Sequence, residues 1–136
     1  MPVVLRKSLE KDLGALIQLA PQAQAFLDQA GVAAPAAFKI QLALEETIRN
    51  LIEHDPRSRI TRIQVAIEVG AEAVTILLED DGEPFDPRSA PPFDPAQPLE
   101  SRAPNGMGVH LLRSFMDEIQ YDRQGAFNQL RMVVGK

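Results

Sequence analysis

Residues 62–69, RIQVAIEV, alternate without a break, with Ile63, Val65, Ile67 and Val69 on one side and Arg62, Gln64, Ala66 and Glu68 on the other. Successive side chains of a strand point to opposite faces, so this segment reads as a strand with one face on a core. A turn, GAEA at 70–73, leads to the more continuously apolar VTILLED at 74–80, and the pair reads as a hairpin in an antiparallel sheet. Helices elsewhere in the chain must then cover a single face of that sheet.

The flanking segments supply those helices. PVVLRKSL at the start reads as a short strand, after which Ser8 or Asp12 is placed to cap a helix carrying Leu13, Ile17, Ala20 and Leu27 near helical spacing. Pro21 is expected to kink or split it. From Ala36 to His54, Ala37, Ile40, Leu44, Ile48 and Leu51 form one stripe between Pro35 and Pro56, the best-defined helix of the chain. Further on come a helix over Val109 to Phe115, a strand EIQYDR, a turn at Gln124 to Ala126, and a strand NQLRMVVG with Leu130, Met132 and Val134 on one face. With 136 residues and 45% hydrophobic content, one domain over 1–136 is expected. The fold class is α/β (α+β), a two-layer sandwich with a mixed, mostly antiparallel sheet and helices on one face.

Composition removes several functions. The net charge of −5 opposes nonspecific nucleic-acid binding, which is driven by cations displacing phosphate counterions. One tyrosine and no tryptophan leave little surface for base stacking. The absence of cysteine excludes disulfides and thiolate metal sites. No apolar run approaches the roughly 20 residues of a membrane span, and MPVVLRKSLEKD lacks the core of a signal peptide. A cytoplasmic protein without membrane or direct nucleic-acid partners is expected.

Seven of the eleven prolines fall between Pro84 and Pro104, where helix and sheet are both disfavoured. A connection of that length inside a small domain reads either as a functional lid, at about 84–105, or as a disordered segment.

Three clusters carry potential chemistry. Glu46 and Asn50, four residues apart and about 40° on a helical wheel, project away from the Leu44, Ile48 and Leu51 stripe, with Glu53 on the same side. This is either the solvated face of an amphipathic helix or a carboxylate and carboxamide able to hold Mg²⁺ and a water or hydroxyl beside it. EDDGEPFDP at 79–87 ends a strand. It is either a plain turn or a site where Asp80 accepts a hydrogen bond from an exocyclic amine while Gly82 lets a flat ring approach the backbone. Adenine offers that amine where guanine has a carbonyl. Gly106 and Gly108 precede a helix, as a simple turn or as a phosphate seat built on the unpaired N–H groups of its first turn. No G-x-x-x-x-G-K-[ST] is present and no lysine lies between Lys39 and Lys136, so any triphosphate must be met by Mg²⁺, backbone amides, and Arg102 or Arg113.

In this order, LALEETIRNLIEH, DDGEPFDP, and GMGVHLLRSFMDEIQYDR with GAFNQLRM are similar to the N-box, the adenine-reading box, and the last glycine box with closing strands of a known superfamily. The chain resembles the ATP-binding domain shared by histidine kinases, gyrase-type ATPases and mismatch-repair ATPases (GHKL). Within it, the resemblance is to the small anti-sigma factor and serine-protein kinase branch. It implies Glu46 as general base, Asn50 as Mg²⁺ ligand, Asp80 as adenine acceptor, Gly82 against the ring, and Gly106 and Gly108 at the phosphates, with ATP and Mg²⁺ as cofactors. His110 receives no role. Arg49 stands where a small or hydroxylated residue is more usual, and Asp55-Pro56 follow His54 where a small residue and an aromatic would.

The resemblance implies a serine kinase that phosphorylates an anti-anti-sigma (STAS-domain) protein and sequesters a sigma factor by partner switching. The alternative is a nucleotide-gated binding module without phosphotransfer, to which Arg49 and the HDP segment point. A detached histidine-kinase half is disfavoured because one domain uses the whole length and no helical hairpin with a phosphoacceptor histidine remains. Similar proteins are often homodimers, though the sequence singles out no surface for it.

Overall fold

The computed structural model describes residues 2–53, 55, 59–84 and 112–136. The order is β1 (Val3–Leu9), α1 (Leu13–Gln29), α2 (Ala34–Glu53), β2 (Ile63–Val69), β3 (Ala73–Asp80), β4 (Glu118–Gln124) and β5 (Phe127–Gly135). The strands form one five-stranded sheet in the order β1-β2-β3-β5-β4. Every pairing is antiparallel, so the expected two-layer arrangement is realised with a wholly antiparallel sheet among the described residues.

The apolar row of β2 is on the core as expected, with Ile63, Val65, Ile67 and Val69 buried, and Ala66 on the opposite face is buried as well. Val74, Ile76 and Leu78 of β3 and Met132 and Val134 of β5 join that row in one core with the helices. The opposite face is more open, with Gln64 and Leu77 exposed.

Helix α1 begins at Asp12, whose carboxylate accepts the Ala15 N–H at 2.8 Å, the capping geometry that satisfies an orphan donor. Pro21 neither splits nor ends the helix. It lies on the exposed side, where a carbonyl deprived of its N–H partner can be hydrated. The buried face differs from the expected stripe. Leu19, Ala23 and Leu27 are buried with Leu16 and Phe26 packed beside them, whereas Leu13, Ile17 and Ala20 are exposed. The row containing Leu16, Leu19, Ala23, Phe26 and Leu27 presents more continuous apolar surface, and that sets the rotation of the helix.

At its end, Val32 N–H reaches the Leu27 carbonyl at 3.0 Å and Gly31 N–H the Asp28 carbonyl at 3.1 Å. Gly31 has φ +76°, a left-handed conformation that closes a Schellman turn and reverses the chain into α2. Helix α2 starts two residues before its expected limit, with Pro35 in the first turn, where a missing N–H costs nothing. Its expected stripe is the core: Ala37, Ile40, Leu44 and Ile48 are buried and Leu51 is packed against them. Of the helix expected over Val109 to Phe115, the part before residue 112 lies outside the described residues. The turn at 112–115 adds Leu112, and Met116 follows, both buried. Among the described residues no helix is long and apolar enough to cross a membrane.

Asp55, in the connection from α2 to β2, accepts from Lys11 Nζ at 2.8 Å, Ile60 N–H at 2.9 Å and Arg59 N–H at 3.0 Å. Its side chain is 3% exposed. The aspartate that departs from the family pattern thus ties the entrance of β2 to the turn before α1. Burial alone would raise its carboxyl, but the Lys11 and backbone hydrogen bonds outweigh it and hold the group below 3.8. A depressed carboxyl adds stability above 3.8 that disappears as pH falls through its folded value. Asp55→Ala leaves three donors without an acceptor and should cost about 2–3 kcal/mol in urea denaturation at pH 7. The difference from wild type should shrink steadily as the titration is carried below pH 4 (about the ordinary aspartate value).

Candidate functional site

The alternation of β3 does not stop with its apolar residues. Val74, Ile76 and Leu78 face the helices, and the next position on that row is Asp80, a carboxylate only 5% exposed. A buried charge persists only with hydrogen-bonding partners. Directly opposite in register stands Asn128 of β5, 4% exposed, on the row of Leu130, Met132 and Val134. Its Nδ2 donates to Asp80 Oδ1 at 3.0 Å, and Gly82 N–H donates to the same oxygen at 2.9 Å. Among the described residues, both donors to this carboxylate fall on Oδ1.

Further bonds hold this corner. Asn128 Nδ2 reaches the Glu83 carbonyl at 2.8 Å, and Arg123 Nη1 donates to the Gly82 carbonyl at 2.6 Å and to Asn128 Oδ1 at 3.2 Å. The Tyr121 hydroxyl also donates to Asn128 Oδ1. Burial pushes the Asp80 carboxyl above 3.8, with the neighbouring Asp81 adding to the rise, while Asn128, the Gly82 amide and Arg123 pull it partly back. Asp81 behaves oppositely: desolvation would raise it, but its hydrogen bonds from Thr61 prevail and hold it low.

Gly82 is required by its surroundings. A Cβ there would lie 2.7 Å from Ile60 Cγ1 and 2.9 Å from Asp80 Oδ1. The bare backbone lets the Ile60 side chain and the Asp80 carboxylate both approach this position.

On α2, Glu46 and Asn50 are half-buried beside Ala43 and Thr47, at the margin of the core face rather than pointing fully to solvent. Glu53, the last residue of the helix, is exposed. Thr47 satisfies its own hydroxyl on the Ala43 carbonyl. Asn50 Oδ1 is fully shielded and has no hydrogen-bond partner among the described residues. Such an orphan amide oxygen fits a hard cation that takes oxygen ligands and keeps most of its water. No group of three His, Cys, Asp or Glu among the described residues could form an all-protein metal cage.

Arg49 occupies the same surface, with Nη2 2.7 Å from Glu46 Oε1 and 3.3 Å from Glu45 Oε1. The residue that departs from the family pattern is therefore in contact with the expected base. Gly106, Gly108, His110, Arg102 and the lid from Phe85 onward lie outside the described residues, as do His54 and Pro56, and Arg113 is half-buried in the turn at 112–115.

Sequence reasoning does not single out Asn128, Tyr121 or Arg123. A signal exists: Asn128 is the polar member of an otherwise apolar alternating row, as Asp80 is of its own.

The raised carboxyl of Asp80 favours folding most below 3.8, and that contribution is lost as pH rises through the higher folded value. Asp80→Asn abolishes this titration. Denaturation midpoints from pH 4.5 to 8 (roughly the range above an ordinary aspartate) should fall less with rising pH in the variant than in wild type.

A family model described as the histidine kinase-like ATPase domain matches residues 9–134. A serine-protein kinase RsbW of Bacillus cereus is 28% identical over 104 residues, 69% of this chain and 65% of that protein. RsbW of Bacillus thuringiensis subsp. konkukian gives the same identity and coverage. The chain thus matches 65% of the length of these curated relatives. Among solved structures, that of the RsbU and RsbW domains of Rv1364c from Mycobacterium tuberculosis superposes with TM-score 0.70 at 15% identity, covering 97% of this chain and 31% of that one. The Acinetobacter baumannii histidine kinase AdeS superposes with TM-score 0.50 at 16% identity, covering 96% of this chain and 67% of that one. At those identities the solved structures speak for the fold alone. A match that begins at the end of β1 and runs to within two residues of the C-terminus shows that the chain belongs to the histidine kinase-like ATPase domain family.

Proposed function

We propose that this chain is an ATP-binding anti-sigma factor and serine-protein kinase that phosphorylates an anti-anti-sigma (STAS-type) protein and sequesters a sigma factor by partner switching. The observation that carries the reading is the buried Asp80 carboxylate, with both of its described donors on one oxygen. That is the chemistry an adenine amine requires and a guanine carbonyl refuses. The relatives named serine-protein kinase supply the direction of the activity.

In this reading Asp80 Oδ2 receives the exocyclic amine, and the Gly82 backbone is the floor beside the ring. Asn50 Oδ1 is the protein ligand for Mg²⁺. Bound there, Mg²⁺ would spread the charge of the phosphates. Glu46 orients the acceptor serine hydroxyl and takes its proton, for which its carboxylate must first exchange Arg49 for the hydroxyl. Gly106 and Gly108 present backbone N–H groups to the phosphates. Residues 1–136 act as one domain, with the segment at about 84–105 as a lid whose contacts differ between ATP and ADP and so bias the choice of partner. A cytoplasmic site of action and a homodimer accompany this reading.

A second reading, a nucleotide-gated binding module without phosphotransfer, is favoured by one contact, the Arg49–Glu46 ion pair at 2.7 Å. A carboxylate already engaged by a guanidinium is less available as a base.

Calorimetry with ATP, ADP and GTP, with and without Mg²⁺, tests the nucleotide claim, and labelled ATP with a STAS-domain protein tests phosphotransfer. Glu46→Gln should retain ATP binding and lower serine labelling about 100-fold or more, the usual scale of a general base. Asn50→Ala should lose the Mg²⁺-dependent part of the affinity. Arg49→Ser should raise the labelling rate if the ion pair restrains the base. Tight ATP binding with no label in any of these proteins would select the binding module, and indifference to millimolar ATP would overturn both readings.

A further inference from the structure

Among the described residues, Asn128 is the one that touches Asp80, the loop root and two flanking side chains of β4 together. Its amide has two donor hydrogens and two acceptor positions, and all four are used. Nδ2 serves Asp80 Oδ1 at 3.0 Å and the Glu83 carbonyl at 2.8 Å. Oδ1 receives Arg123 Nη1 at 3.2 Å and the Tyr121 hydroxyl.

Only one orientation of the amide is compatible with these neighbours. A guanidinium can only donate and a backbone carbonyl can only accept, so exchanging O and N would set N–H against N–H and C=O against C=O. Arg123 and Glu83 therefore decide that the N–H side of Asn128 faces Asp80.

We infer that Asn128, oriented by Arg123 and Tyr121, is a specificity-determining positioning residue: it pins Asp80 through Oδ1 as a hydrogen-bond acceptor, so that Oδ2 selects a purine bearing an exocyclic amine over one bearing a carbonyl. The inference rests on the reading of Asp80 as the adenine acceptor. Without the amide, a buried carboxyl at this position more readily takes up a proton, and a protonated Asp80 donates from Oδ2 to a carbonyl-bearing base. Among the described residues, the charged groups acting on Asp80 are Asp81, which favours protonation, and Arg123, which opposes it.

The test compares ATP with inosine triphosphate, which differs at the exocyclic position, by calorimetry on the full chain with Mg²⁺ between pH 5.5 and 8.5 (roughly two units above ordinary aspartate and beyond). Wild type should prefer ATP. Asn128→Leu, close in shape and without polar atoms, should lower the ATP-to-inosine preference about tenfold, as loss of one specific hydrogen bond does. Its remaining preference should be lost at a higher pH than in wild type as the solution is acidified. Asn128→Asp keeps the size and the Tyr121 and Arg123 contacts but puts a second carboxylate against Asp80. Its preference should be low at pH 8.5 and recover on acidification, when one shared proton restores a donor between the pair. That opposite pH response is one that loss of packing alone does not produce.

Parallel loss of affinity for both nucleotides in the two variants, or unchanged preference in both, would overturn the inference. If Asn128→Leu does not fold by circular dichroism, Asn128→Asp decides. A wild type that discriminates while the variants behave like it removes only the role of Asn128. A wild type that binds neither nucleotide, or both equally, removes the adenine reading and the inference with it.

Discussion

A carboxylate at the end of an apolar row is the constraint around which the site is arranged. Asp80 continues the β3 row that begins with Val74, and its burial demands partners from wherever the register brings them. The register brings Asn128. One antiparallel pairing therefore does two things: it aligns Ile76 with Met132 and Val74 with Val134 in the core, and it sets an amide against a charge at the margin. A slip of β3 by one residue would turn Asp80 and the Val74, Ile76, Leu78 row to the open face together, so core packing and site geometry are protected by the same hydrogen bonds.

The architecture is largely legible in the chain. Strict alternation in β2, the stripe of α2 and the apolar rows of β3 and β5 each reflect a single dominant periodicity, and the structure follows them to within two residues. Where two periodic rows compete, as in α1, periodicity alone does not decide. The Leu13, Ile17 and Ala20 row and the Leu16, Leu19 and Ala23 row are both plausible, and only the shape of the sheet and α2 beneath selects the second. Asp80 and Gly82 are legible as a strand-end motif, and the structure brings them together. The support given by Asn128, Arg123 and Tyr121 is not, because it depends on cross-strand register and on backbone carbonyls more than forty positions away in sequence.

Charge on α2 shows how local chemistry can work against a site. A helix places residues three apart side by side, and Arg49 takes that position relative to Glu46. Both are only partly exposed, so the attraction is less screened than on an open surface, though weaker than for a pair wholly removed from water. Asn50, one residue further, has no such neighbour for its shielded oxygen among the described residues. The same helical face thus holds an occupied carboxylate and, among the described residues, an unsatisfied amide oxygen, and any ligand entering meets the two very differently.

The strand order carries a consequence for biosynthesis. β5 is the last of the five strands to be made, yet it lies between β3 and β4. While the ribosome still holds that segment, β3 and β4 both lack the described strand that pairs with them, and a bare edge recruits other chains. Asn128 arrives with the same strand, so the emerging polypeptide carries the acid without its amide. Sealing of the sheet and pairing of the buried acid thus happen together, in one late event.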